Sequence, residues 1–307
     1  MPELITSPSN PKIKRLLALQ QKSSARREAG LFVVEGRREL RHCIDAGFEI
    51  DTIFVCPQVA DLSSSSGSEV ETATAPENRS HPRLRKREGP AAEGCGRGPA
   101  QPDVFRGWLP RNEGQTKVFE VSDEVYAKIA MREGTEGVIA EVRTPERRLE
   151  DIVLPENPLI VVLESVEKPG NLGAVLRSAD AAGADAVLVC DPLTDLWNPN
   201  LIRASLGAVF TVPCVACGTE EAIAFLKARG IRILTAQLQD SSLYYDCDMT
   251  GGTALVMGTE STGLTPRWRE AADAHIRIPM LGRLDSLNVS VSAAILLFEA
   301  VRQRRNE

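Results

Sequence analysis

Three stretches of the chain set polar or ionisable residues beside glycine in ways that could serve chemistry. "EKPGNLGAVLRSADAAGA" holds Gly170, Asn171, Gly173 and Arg177; "ALVMGTESTGLTPRW" holds Gly258 and Glu260; "IPMLGRLDSLNVSVSAA" holds Ser286 and Asn288. Glycine lets a backbone turn sharply into a helix. In the first stretch Leu172, Val175, Leu176 and Ala179 fall at i, i+3, i+4 and i+7, which predicts a helix with that face buried and Arg177 on the opposite side. In the second, Thr265 and Pro266 suit the N-cap and first position of a helix, with Glu260 upstream. In the third, Ser286 and Asn288 precede an apolar run, where such residues accept hydrogen bonds from the first free N–H groups of a helix. The first stretch is not GxGxxG, and "GTESTGL" lacks the Lys of a GxxxxGK[ST] phosphate loop. A nicotinamide dehydrogenase and a P-loop nucleotidase are therefore poorly supported.

Other chemistry is limited by what is missing around it. Cys214 and Cys217 form a lone CxxC among seven scattered cysteines, with no second Cys or His pair at ligand spacing. A tetrahedral zinc needs four ligands, so structural thiols and no metal are expected. The charge is more informative in its distribution than in its total of -6. Between positions 10 and 41, nine basic residues (Lys12, Lys14, Arg15, Lys22, Arg26, Arg27, Arg37, Arg38, Arg41) face three acidic ones, a net of +6 that leaves -12 for the remainder. Such a patch on an acidic protein localises binding of a polyanion. A solvated helix face is the competing reading.

The elements that must position these residues fall into two groups. Over 9–57 the pattern predicts helix, strand, helix, strand, and "KVFEVSDEVYAKIA" with "EGVIAEVR" adds strand, helix, strand. Between them, 58–116 is rich in Ser, Gly, Pro, Ala and charge and is expected to be a disordered or low-complexity insertion. A linker at 144–158 is marked by prolines and charges. From 159 onward short apolar strands alternate with helices, which predicts an α/β fold with a mostly parallel sheet covered on both faces. In such sheets ligands bind beyond the carboxyl ends of the strands, where all three stretches lie. The 307 residues, 43% hydrophobic, are enough for two domains. No apolar run reaches the roughly 18 to 20 residues of a membrane span, and residues 1–20 have no signal-peptide core, so a cytoplasmic location is expected.

The three stretches, in this order and over essentially all of 159–304, resemble motifs one, two and three of the SpoU/TrmH family of RNA 2′-O-ribose methyltransferases, within the SPOUT superfamily. The third motif, "IPMLGRLDSLNVSVSAAILLFEA", is the most specific. The basic N-terminal unit, 1–57 and 117–147, resembles the ribosomal-protein-like domain that binds substrate RNA in ribosomal-RNA members, with 151–307 as the catalytic domain. The insertion departs from that domain, as does Lys168, where Asp or Asn commonly stands.

The resemblance implies an S-adenosylmethionine-dependent enzyme whose C-terminal chain ties a deep trefoil knot, working as a homodimer. It implies a catalytic set of Asn171, Arg177, Glu260, Ser286 and Asn288. It also implies a cofactor held by Gly258, Ile278, Met280 and Leu287, with Thr235 and Ala236 near the ribose. Lys12, Lys14, Arg15, Arg26, Arg27, Arg37 and Arg38 become the expected RNA contacts. A ribose 2′-hydroxyl must lose its proton as it attacks the methyl sulfonium. A guanidinium is a poor proton acceptor, so Arg177 is expected to position the adjacent phosphate and stabilise the developing alkoxide. Ribosomal RNA is the expected substrate. Transfer RNA, methylation of a base, and a non-catalytic role in ribosome assembly are the alternatives.

Overall fold

The computed structural model describes residues 2–60, 116–132, 136–259 and 262–305. The insertion expected over 58–116 falls almost wholly outside the described residues, and Glu260 lies outside them too. The chain divides into two compact units: 2–60, 116–132 and 136–145 with Trp197–Pro199 make the first, and the remainder from Glu146 makes the second.

The first unit contains β1 (Glu3–Ile5), α1 (Pro11–Gln21), α2 (Ser23–Ala29), β2 (Leu31–Glu35), α3 (Arg37–Asp45), β3 (Ile50–Val55), β4 (Lys117–Val121), α4 (Asp123–Ile129) and β5 (Val138–Arg143). Its sheet runs β1-β4-β3-β5-β2, antiparallel at β3–β5 and β5–β2 and parallel elsewhere. α1 starts where its sequence says it should. Pro11 is pre-set for the first turn, and the Asn10 side chain accepts from the Lys12 N–H at 2.9 Å. Ile13, Leu16 and Leu19 then form its buried stripe. The sequence pattern missed two elements here. β1 is only three residues long, and α2 has no apolar periodicity of its own; it ends at Gly30 in the left-handed conformation, φ 61°.

The second unit contains β6 (Leu159–Glu164), α5 (Pro169–Ala182), β7 (Ala186–Cys190), α6 (Pro199–Ala204), α7 (Ala208–Thr211), β8 (Cys214–Cys217), α8 (Thr219–Ala228), β9 (Arg232–Ala236), β10 (Ser242–Leu243), β11 (Thr253–Met257), α9 (Pro266–Ala271), β12 (Ala274–Arg277) and α10 (Val289–Arg305). The sheet order is β10-β12-β9-β11-β6-β7-β8, with every neighbouring pair parallel. β6, β7 and β11 are buried along their whole length, as strands covered on both faces must be.

The apolar run over 198–210 forms two helices and not one. Leu206 and Gly207 take φ values of 53° and 88°, splitting it into α6 and α7. The CxxC proves to be strand β8. α10 packs on α5 and β11, and its far end is pinned by Arg304, which donates to the carbonyls of Met249, Asn157, Pro158 and Gly251 at 2.6 to 3.1 Å. Among the described residues no helix is long and apolar enough to cross a membrane.

Candidate functional site

A cavity of about 360 Å³ opens beyond the carboxyl ends of β9, β11 and β12, where parallel sheets bind ligands. Its volume falls within the ~300–1,000 Å³ usual for small-molecule sites. Three chain segments that leave those strands build it. From β9 come Ala236, Gln237, Leu238 and Gln239; from β11, Gly258, Thr259, Gly263 and Leu264; from β12, Ile278, Met280, Asp285, Ser286 and Leu287.

Local backbone chemistry shapes the β11 segment. A Cβ on Gly258 would overlap the backbone of Gly263, so only glycine permits the chain to fold back there. Thr262 N–H and hydroxyl both meet the Thr259 hydroxyl, at 3.1 and 2.7 Å, closing the turn. Thr265 is the N-cap of α9 as its sequence position predicts, but its hydroxyl makes no cap bond; it donates to Glu164 at 2.7 Å instead.

Asn288 satisfies two readings at once. Its Oδ1 accepts from Ser290 N–H at 2.9 Å and Ser290 Oγ at 2.6 Å, which caps α10. Its Nδ2 donates to Asn171 Oδ1 at 3.1 Å, tying the rim of the cavity to the first turn of α5. On α5, Leu172, Val175, Leu176 and Ala179 are buried and Arg177 is exposed, as the wheel predicts. Arg177 lies ~9 Å further along the helix axis from Asn171. Among the described residues Arg177 has no hydrogen bond or ion pair. Ser286 does not cap α10; its hydroxyl lies 3.5 Å from Asp285 Oδ1 at the cavity edge.

Of the six residues expected around a cofactor, five line the cavity: Ala236, Gly258, Ile278, Met280 and Leu287. Thr235 does not; it is fully buried in β9, with its hydroxyl 2.6 Å from His275 Nδ1 on β12. Sequence reasoning missed Gln237, Gln239, Arg269, Arg277 and Asp285, all on the lining. Gln237 and Gln239 carried one legible signal, since they directly follow a buried strand. The set suits an adenosyl amino acid, with the backbone edge of Gly258 and the apolar side chains of Ile278, Met280 and Leu287 beside charged and amide groups able to meet hydroxyls and a zwitterion.

The CxxC cysteines do not face each other as a pair. Cys217 Sγ lies 3.8 Å from Cys190 Sγ on the neighbouring strand β7. The hydrogen bond to Cys217 and burial push the Cys190 thiol up, and burial pushes Cys214 up to about 12. Such thiols stay protonated and unreactive.

In the first unit the expected RNA cations separate into two kinds. Arg26 is 4% exposed, with its guanidinium donating to the carbonyls of Leu19 and Gln20 at the end of α1. That burial corrects its assignment to an RNA surface. Arg15 is engaged with Glu141 and Asp51, Lys12 with Glu3, and Arg38 with Glu39. The Arg37 backbone N–H is held by Glu136. Lys14 and Arg27 are exposed, and their side chains have no partner among the described residues.

Comparison with known proteins agrees with this geometry. Residues 158–298 match the SpoU rRNA Methylase family, and residues 10–80 match the MRM3-like substrate binding domain. The 23S rRNA (guanosine-2′-O-)-methyltransferase RlmB of Vibrio vulnificus is 39% identical over 175 residues, covering 55% of this chain and 71% of its own. The chain belongs to the SpoU rRNA methylase family. A solved RNA 2′-O ribose methyltransferase superposes with a TM-score of 0.72 at 36% identity, over 98% of this chain and 99% of its own. An AdoMet-bound rRNA methyltransferase from Sinorhizobium meliloti superposes with a TM-score of 0.75 at 29% identity, over 98% and 97%. The family's cofactor, S-adenosylmethionine, matches the cavity's lining, and the SpoU family match takes in all three of the cavity's segments.

Proposed function

We propose that this SpoU methylase transfers a methyl group from S-adenosylmethionine to a ribose 2′-hydroxyl of ribosomal RNA, in the large-subunit RNA on which its RlmB relatives are named to act. One observation carries the reading: the cavity at the ends of β9, β11 and β12 is joined through the Asn288–Asn171 hydrogen bond to α5, which presents Arg177, exposed and without a partner among the described residues.

Gly258, Ile278, Met280 and Leu287 would hold the adenosyl part, with Ala236 beside the ribose. When bound, S-adenosylmethionine supplies an electrophilic methyl on a positively charged sulfur. Arg177 would hold the phosphate next to the target ribose and stabilise the oxyanion that develops at O2′, while the hydroxyl proton passes to solvent and the demethylated thioether is the leaving group. The Asn288–Asn171 bond keeps the cavity rim and α5 in one arrangement, so that the methyl and the hydroxyl meet at a reproducible distance. Lys14 and Arg27 contribute to the phosphate-binding surface of the first unit.

Two further features belong to the proposal. Leu281 (97% exposed), Leu284 (75%), Phe298 (49%) and Val291 (46%) present large apolar side chains on and just before α10, and a second copy of the chain is the occupant we assign to them. The trefoil knot is likewise part of the proposal, and the family membership of 158–298, which takes in the three segments around the cavity, is what supports it.

The test is methyl transfer from labelled S-adenosylmethionine to purified ribosomal and transfer RNA, followed by digestion to nucleosides. A 2′-O-methylated nucleoside from ribosomal RNA alone is the expected result. Label on a base, or in transfer RNA only, would overturn the assignment.

A further inference from the structure

Glu164 ends β6 and is 4% exposed. A carboxylate so far from water is costly unless donors surround it. Three do. Thr265 N–H donates to Oε2 at 2.8 Å, Thr265 Oγ1 donates to Oε1 at 2.7 Å, and Thr219 Oγ1 approaches Oε1 at 3.4 Å. These bonds join the end of β6 to the start of α8 and to the segment that enters α9. Glu164 does not line the cavity, but Gly263 and Leu264, the two residues before Thr265, do.

Thr265 stands at the N-cap of α9, where its hydroxyl would ordinarily bind the helix's own free N–H groups. Here the helix has no side-chain cap bond, and the hydroxyl donates its proton to Glu164. A charged acceptor binds a donor more strongly than a neutral one. The two bonds from Thr265 thereby fix the location of the segment that enters α9. The same segment is held at a second point by the contact of the Gly263 backbone with Gly258, where no side chain fits. With both ends located, Gly263 and Leu264 form a rigid wall of the cavity.

We propose that Glu164 is a positioning residue for the cofactor, holding Gly263 and Leu264 in place through its two hydrogen bonds to Thr265 and so shaping the wall of the cavity without touching its occupant. The proposal rests on the methyltransferase reading above. It separates cofactor binding from chemistry, because Asn171, Asn288 and Arg177 are positioned by α5 and α10 and not by this network.

The test is calorimetric titration of the full chain with S-adenosylmethionine, together with steady-state methyl transfer, for wild type and three variants. Glu164→Gln keeps the shape but leaves a single acceptor oxygen for three donors. Thr265→Val removes only the hydroxyl. Glu220→Gln is the control: Glu220 pairs with Arg267 and also joins α8 to α9, but at an exposed site away from the cavity wall. Expected for Glu164→Gln is a Kd and a cofactor KM raised about tenfold, with kcat at saturating cofactor within about twofold of wild type. Thr265→Val should shift both in the same direction by less, and the double variant should be no worse than Glu164→Gln alone. Glu220→Gln should leave both unchanged. Should Glu164→Gln fail to fold, by circular dichroism, Thr265→Val carries the test. Wild-type affinity in both variants, or an equal loss in Glu220→Gln, overturns the inference while leaving the methyltransferase reading intact. A wild-type chain that does not bind the cofactor at all overturns that reading itself.

Discussion

Arg177 and Arg15 are both arginines on helices, yet their surroundings are opposite. Arg177 is exposed on α5 with its charge unpaired among the described residues, which suits a group that meets RNA. Replacing it with Ala, or with Lys, which lacks the planar fork, should lower kcat by about 10²- to 10³-fold while calorimetry records an unchanged affinity for S-adenosylmethionine. A loss of cofactor affinity in the folded variant would remove Arg177 from the proposed role.

Arg15 instead serves the fold. It pairs with Glu141, whose side chain is fully buried in β5. Burial pushes the Glu141 carboxyl up, against the pull of the Arg15 guanidinium. A carboxyl raised in the folded state favours folding at low pH, and that contribution is lost as pH rises through the folded value. Arg15→Ala removes the opposing charge and raises Glu141 further. It should destabilise the protein by about 2 kcal/mol at pH 8, less than a fully buried pair because Arg15 is half exposed. Urea unfolding should show that loss shrinking as pH falls, the direction in which a buried Glu141 takes up a proton.

At the scale of elements, the site depends on chain reversals that periodicity does not encode. The fold-back after β11 needs Gly258 because a Cβ would collide with the Gly263 backbone, which cannot rotate away as a flexible side chain would. Gly258→Ala should therefore weaken S-adenosylmethionine binding at least tenfold and cost about 1–3 kcal/mol of stability, measured by calorimetry and thermal melting of the same preparation. The helices and strands were largely legible, because the stripe on α5 and the continuous apolar runs of β6, β7 and β11 have a period. The misses have physical reasons. β8 is four residues, its CVAC run too short to show a period, and the break between α6 and α7 sits at Leu206 and Gly207, where a non-glycine residue adopts a left-handed φ that no sequence pattern announces.

For the whole molecule, association and RNA binding are the predictions. Phe298→Glu places a charge in the exposed apolar face of α10, and sedimentation should show a dimer for wild type and a monomer for the variant. A wild-type monomer would leave that face without the partner proposed for it. Charge reversal at Lys14 and Arg27 should raise the KM for ribosomal RNA without changing kcat. It should also flatten the dependence of affinity on salt by about one unit of slope for each phosphate that is no longer neutralised.

Composition, periodicity and motif order were enough to establish the α/β class, the parallel sheet, the faces of its helices and the family, because each rests on local spacing or on residue types in sequence order. Residues such as Ala236, Gly258 and Leu287 could be named as cofactor contacts only through the resemblance; their meeting around one cavity was decided by the strand order β12-β9-β11, which brings together Ala236 and Leu287, 51 positions apart. The same holds for Asn171 and Asn288, 117 positions apart and joined by a hydrogen bond, and for Glu164 and Thr265, 101 apart. It holds in reverse for Arg26, one of nine cations in the basic stretch, which packing turned inward to satisfy helix carbonyls. Spacing reports what a residue can do. Only the fold determines which neighbours use up that capacity and which side chains keep it for a ligand.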